Sequence, residues 1–301
     1  MRTSRRTGTV GAIAIAVALL ASACGGGSGD GPTVTIGSTN FGEQLILGEI
    51  YAQALEAEGY TVERRFNLGA RDIVAPALRD GEIDLMAEYT GSLLAYEGGD
   101  PSPDSDATYA ALVAALEPQE LTALDYAPAQ DKNGLVVTAE TAQALGLATV
   151  SDLAAHNGTL VLGGPPECPE RPLCLPGYED VYGLEFANFV PLDVGGPLTV
   201  EALTGGDIDV ALLFTSDGVI AARGFVLLDD DMGLQPAENI VPVLRQAVID
   251  AHGQDLVDLI NRVSALITTA ELSELNKRYG IDAVDADVLA REWLESKGLV
   301  S

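Results

Sequence analysis

The chain has 301 residues, of which 45 are acidic and 16 basic, for a formal net charge of −29. That balance excludes nucleic acid as a partner, since a polyphosphate demands the opposite sign. With two histidines and three cysteines, and neither a Gly-x-Ser-x-Gly elbow nor a phosphate loop, the chain lacks the parts for hydrolytic, phosphoryl-transfer and metal chemistry; it reads as a binder that needs no cofactor and no metal.

Arg2, Arg5 and Arg6 precede an apolar stretch over 10–20 and the small residues Ala21, Ser22 and Ala23, which is the layout of a secretory signal over 1–23. The stretch is about half the ~20 residues that a membrane-spanning helix needs. Cys24 follows Leu20-Ala21-Ser22-Ala23 directly, and this pattern resembles a bacterial lipobox, in which the cysteine becomes the lipidated first residue. The Gly-rich run behind it makes 24–32 a flexible tether that cannot form a core. An extracytoplasmic protein held to the membrane by its lipid alone is therefore expected. Without the leader arginines, 13 basic residues face 45 acidic ones, a net charge of −32, for which solubility is a sufficient reason.

Roughly 270 residues remain, enough for two lobes of ordinary size. A strand is predicted over 33–37, then a helix over 41–58 in which Leu47, Ile50, Tyr51, Ala54 and Leu55 recur at helical spacing. Asn40 and Glu43, three residues apart, have the form of a capping box. A first crossing between lobes is expected at 127–134, before a strand over 135–138, and a second at 231–242. These assign 33–128 and 237–301 to one lobe and 129–236 to the other. Cys168 and Cys174, six apart in a Pro-rich loop, read as a disulfide in an oxidising exterior. Asp229-Asp230-Asp231 reads as a solvated turn, and His156 and His252 as solvated residues at polar helix ends or in loops. Helices over about 246–279 and 285–297 are expected to pack back on the first lobe, with Trp293 inside the packing.

The most informative feature is an internal repeat at a constant offset of 125: the segment 77–90 matches 202–215 without a gap. Ala, Leu, Gly, Ile, Asp and Thr coincide, Glu82 pairs with Asp207, and Tyr89 pairs with Phe214. Each copy reads as a helix end, a Gly turn and a buried strand that finishes at an aromatic and a Thr. Two copies predict two similar α/β lobes. Ligands of open α/β sheets bind beyond the carboxyl ends of the strands, so Tyr89, Thr90, Phe214 and Thr215 are expected to face one guest.

Three stretches carry a family resemblance: Gly37-Ser38-Thr39-Asn40-Phe41-Gly42-Glu43-Gln44, Glu88-Tyr89-Thr90-Gly91 and Phe214-Thr215-Ser216-Asp217. They resemble motifs of the substrate-binding proteins of glycine betaine, carnitine and choline importers, the osmoprotectant ABC systems, and the similarity runs over about 33–297. The resemblance implies a two-lobed periplasmic-binding-protein fold of type II with two crossovers. It further implies a monomeric receptor that catalyses nothing, closes on its solute and delivers it to ABC permease subunits. An aromatic box is implied too: a quaternary ammonium has no N–H to donate, so ring faces hold it, at ~0.5–2 kcal/mol per contact. Tyr89 matches one box position, and Phe214 keeps the ring at another. Gln130 and Glu238 stand where further rings are expected, with Tyr126 and Tyr178 the nearest substitutes. For the carboxylate end of a betaine the resemblance points to Arg171 and Ser92. Thr39, which some relatives replace by Lys, leads with Asn40 and Phe41 into a helix N-terminus able to receive an anion. Glu238, if it faces the cleft, favours a cation. The missing half of the box leaves a different zwitterion or polar amine open as the solute, and a ligand sensor without an importer as a further reading.

Overall fold

The computed structural model describes residues 33–193 and 195–300. The leader, Cys24 and the tether lie outside the described residues. Two five-stranded mixed sheets, each with its own helices, form two α/β lobes.

The first lobe begins with β1 (Val34–Gly37), α1 (Gly42–Ala57), β2 (Val62–Arg65), α2 (Arg71–Asp80), β3 (Leu85–Tyr89), α3 (Thr90–Tyr96), α4 (Ser105–Leu116) and β4 (Leu121–Ala123). The chain then crosses to the second lobe, which comprises β5 (Asn133–Val137), α5 (Ala139–Leu145), β6 (Val161–Gly164), α6 (Leu175–Tyr182), β7 (Asn188–Pro191), α7 (Pro197–Gly205), β8 (Val210–Phe214), α8 (Gly218–Arg223) and β9 (Val226–Leu227). It returns with β10 (Ile240–Arg245) and ends in α9 (Gln246–His252), α10 (Gln254–Ser264), α11 (Thr269–Gly280) and α12 (Ala286–Ser296).

The strand orders are β2-β1-β3-β10-β4 and β7-β6-β8-β5-β9. They are the same order twice, because β5 holds in one sheet the place that β10 holds in the other. Both of these strands follow a crossing, and both run antiparallel to their neighbours, whereas β1 with β2 and β3, and β6 with β7 and β8, are parallel. This is the type II periplasmic-binding-protein arrangement, with two crossovers.

The repeat read from the sequence is repeated in three dimensions. Gly81 and Gly206 end α2 and α7 in the left-handed conformation, at φ 78° and 77°, which a side chain would strain. The Asp that follows has a structural task in each copy. The Asp84 carboxylate accepts from the Thr35 N–H and the Asp209 carboxylate from the Val161 N–H, both at 2.9 Å. Each therefore ties the start of the repeated strand to its parallel neighbour.

The repeated Thr is placed differently from the expectation that it faces a guest. Thr90 Oγ1 donates to the Ala237 carbonyl at 3.0 Å and accepts from the Asn239 N–H at 3.1 Å. Thr215 Oγ1 donates to the Gln130 carbonyl at 3.2 Å and accepts from the Lys132 N–H at 2.9 Å. Each hydroxyl thus grips the crossing that feeds its own sheet, and both its donor and its acceptor are engaged. The crossings themselves meet at an antiparallel bridge between Gln130 and Asn239.

Other details depart from the sequence reading for local reasons. The predicted 246–279 helix is three helices, interrupted at Gly253, whose φ is 79°, and restarted at Thr268, whose hydroxyl caps α11 by accepting from the Glu271 N–H. Thr138 lies beyond the strand and caps α5 in the same way. Asp230 is more than a solvated charge: its carboxylate accepts from the Leu234 and Gln235 N–H groups and from the Tyr182 hydroxyl, and so it organises the return loop. Cys168 and Cys174 form a disulfide. Trp293 is buried in the first lobe's core with Leu289 and Leu294. His156 and His252 are half-exposed, and His252 lies edge-on to Tyr60.

Candidate functional site

A cavity of about 640 Å³ lies between the lobes. Phe41, Glu43, Arg71, Tyr89 and Ser92 line it from the first lobe, together with Asn276 and Tyr279 of α11. Phe214, Ser216 and Asp217 line it from the second lobe, and Asp131 from the first crossing. Its walls are the carboxyl ends of β3 and β8 and the entrance to α1, as the rule for open α/β sheets requires. Tyr89 and Phe214, which are equivalent in the repeat, contribute one ring from each lobe. Phe41, 44% exposed, stacks beside Tyr89 with ring centroids 6.2 Å apart.

Behind the rings the cavity is acidic. Glu43 is the residue that the Asn40–Glu43 pattern assigned to a capping box. Phe41 occupies the cap position instead, and no side chain caps α1. The Glu43 carboxylate turns into the cleft, where it accepts from the Tyr89 hydroxyl and from Asn276 Nδ2, each at 2.6 Å. Asn276 Nδ2 also donates to the Ser216 carbonyl at 3.0 Å, and Ser216 Oγ donates to Asp131 Oδ1 at 2.7 Å. A continuous chain of hydrogen bonds therefore runs from Tyr89 through Glu43, Asn276 and Ser216 to Asp131, across the gap between the lobes.

Burial raises the Glu43 carboxyl above its ordinary range, against the pull of its donors Tyr89 and Asn276 and of the nearby Ser216. Burial, and then the charge of Glu43, push Asp131 well above the carboxylate range. The Tyr89 phenol is also raised, first by burial and then by Glu43, and so remains a donor. Asp217 is pushed up to about 6, mainly by burial, although the Phe214 N–H bonds its carboxylate at 2.9 Å. The folded chain keeps this proton up to about pH 6, while an exposed Asp loses it near 3.8. Between those values the folded state binds more protons than the unfolded one, so the contribution of Asp217 to stability declines as pH rises. Asp217→Asn is expected to reduce the fall in melting temperature of the ligand-free protein from pH 4 to pH 6. An unchanged slope contradicts the assignment.

Arg71 also lines the cavity, but its guanidinium is engaged. It forks onto Glu88, with Nη2 to Oε2 at 2.8 Å and Nε to Oε1 at 3.0 Å. Burial weighs against its charge, yet Glu88 outweighs that and raises it. Ser92 donates its N–H and its hydroxyl to Glu238, at 2.9 and 2.7 Å, which joins α3 to the second crossing. Glu238 is raised by burial despite these donors.

Of the residues singled out in the sequence, Phe41, Tyr89, Ser92 and Phe214 line the cavity, and Glu238 stands directly behind Ser92. Thr39 is buried, with no hydrogen bond to its hydroxyl among the described residues. Asn40 is exposed. Neither Thr39 nor Asn40 lines the cavity. Gln130 turns into the hinge, its side chain accepting from the Glu238 N–H at 3.3 Å, and its neighbour Asp131 takes the cavity position. Arg171 has a 64% exposed side chain paired with Glu167 at 2.9 Å. It borders a separate pocket of about 70 Å³ with Asn133, Cys174 and Phe214. Tyr126 bonds Asp106 on the surface of the first lobe, and Tyr178 is buried in the core of the second. The missing ring positions are therefore filled by neither. No local pattern in the sequence marks Arg71, Asp131, Asn276 or Tyr279 as site residues, and Glu43, Ser216 and Asp217 stand there only inside motifs.

The family model for the substrate binding domain of ABC-type glycine betaine transport systems matches residues 32–296. The chain is similar to the glycine betaine-binding protein YehZ of Escherichia coli (strain K12), 28% identical over 88% of this chain and 90% of that protein. It is 30% identical to the glycine-betaine-binding protein of Pseudomonas aeruginosa over 89% of each. A solved glycine betaine/carnitine/choline ABC transporter structure superposes with a TM-score of 0.83 at 27% identity, covering 88% of this chain and 99% of that one. The protein belongs to the family of substrate binding domains of ABC-type glycine betaine transport systems.

Proposed function

We propose that this protein is the extracytoplasmic receptor of an ABC importer, and that it captures a quaternary-ammonium or related amine solute by closing its two lobes about the paired crossings. The single observation that carries the reading is the shared cavity, in which Tyr89 and Phe214 contribute one ring from each lobe and Glu43 and Asp131 contribute carboxyl groups. A ring face and a carboxylate are what a cation without N–H groups can use. Closure is a hinge motion, and Thr90 and Thr215 hold the two strands that would flex. Attachment through a lipid on Cys24 is part of the same proposal. It is supported by the leader pattern and is compatible with the absence, among the described residues, of any helix long and apolar enough to cross a membrane.

A different polar amine is a second reading, favoured by Asp131 and Glu238 standing where the aromatic box would continue. Calorimetric titration of the purified protein with glycine betaine, carnitine and choline tests the proposal. Saturable one-to-one binding of at least one of them is the expected result, and no binding of any of them refutes the quaternary-ammonium reading in favour of the polar amine.

A further inference from the structure

The cleft holds more negative charge than its own residues neutralise. Glu43, Asp131 and Asp217 all line it, and among the described residues none of the three is paired with a Lys or Arg. Their hydrogen-bond partners, Tyr89, Asn276, Ser216 and the Phe214 N–H, are neutral. The neighbouring charged groups are committed or face elsewhere: Lys132, beside Asp131 on the first crossing, lines a separate pocket with Asp229 and Asp230, and burial lowers it. Arg71 on α2 is forked onto Glu88 of β3, Lys277 on α11 pairs with Glu274 at 3.5 Å, and Glu238 on the second crossing adds a further acid held by Ser92. Tyr279 on α11 brings only a phenol.

Two carboxylates close together in a weakly polarisable site cannot both ionise cheaply, and they titrate as a pair. Resting on the reading of this cavity as the solute site, we infer that the cleft admits a guest of net positive charge in exchange for a proton held by one of Glu43 and Asp131, which the hydrogen bonds through Asn276 and Ser216 connect. In the ligand-free protein one carboxyl of the pair keeps its proton. The arriving cation supplies the missing positive charge, the O–H bond breaks, and the proton passes to the buffer; no other bond changes. The direction in which burial and mutual repulsion move both groups agrees with this. A zwitterion gains less, because its carboxylate enters an acidic cavity whose one lining Arg is already bonded to Glu88. Arg171 faces a different pocket. Choline is therefore preferred to glycine betaine.

The test is calorimetric titration with choline near pH 6.5 in phosphate and in MES, whose ionisation heats differ, with the affinity followed from pH 5 to pH 7. The expected result is a buffer-dependent heat equivalent to up to about one proton released per choline bound. Affinity should also rise with pH, by up to about tenfold per unit. Asp131→Asn should abolish the buffer dependence; where that variant fails to fold, the two-buffer comparison on the unaltered protein decides alone. Choline binding with equal heats in both buffers and an affinity independent of pH overturns the inference. So does glycine betaine binding more tightly than choline, although either result leaves the receptor reading intact. Absence of binding by choline, carnitine and glycine betaine alike overturns both the inference and the quaternary-ammonium reading.

Discussion

Tyr89→Ala is expected to weaken quaternary-amine binding about 30-fold, and Phe214→Ala by a similar factor. Each removes one ring from one lobe, and a desolvated cation–π contact contributes about 2 kcal/mol, with 1.4 kcal/mol per tenfold in affinity. Tyr89→Phe keeps the ring but removes the donor to Glu43, so its loss should be smaller, below about tenfold by the same conversion. Because the rings belong to different lobes and do not stack on one another, the double variant should show nearly additive losses. Calorimetry on variants with unchanged melting temperatures checks all of these. Wild-type affinity in Tyr89→Ala contradicts the assignment of the rings.

The second large effect is on stability. Arg71→Ala leaves Glu88, whose side chain is 3% exposed, as a buried carboxylate without its cation. Breaking a buried pair from one side costs several kcal/mol, and replacing both partners by apolar residues often costs little. The Arg71 side chain is 26% exposed, which puts the expected loss at the low end, about 3 kcal/mol. That corresponds to a fall in Tm of roughly 5 °C for a chain of this size. Arg71→Met combined with Glu88→Leu should recover most of it. Thermal denaturation of the single and double variants decides, and an equal loss in both contradicts the picture of a structural pair.

These effects show which parts of the molecule were legible in one dimension. The repeat was, because a buried strand after a Gly turn leaves the same local pattern wherever it occurs, and the match of 77–90 with 202–215 corresponds to β3 and β8. The ends of those strands were legible only in part. Tyr89 and Phe214 reach the cavity, but Thr90 and Thr215 bond to backbone 147 and 85 residues away, and no local pattern records such a partner. Glu43 fits a capping box by spacing, yet its carboxylate meets Asn276, 233 residues along the chain. At the first crossing the one-residue difference between Gln130 and Asp131 is decided by the antiparallel bridge from Gln130 to Asn239. Successive side chains of an extended segment point to opposite sides, so the bridge turns Gln130 to the hinge and Asp131 to the cleft. Arg71 lies in the first turn of α2, and only the packing of that helix against β3 brings it to Glu88.

A crystal structure of the protein with choline bound tests the shared cavity most directly. The ammonium group is expected between the rings of Tyr89 and Phe214, with the carboxylates of Glu43 and Asp131 as its nearest charges. A guest seated elsewhere, in the pocket beside Arg171 or on the outer face of either lobe, would contradict that placement.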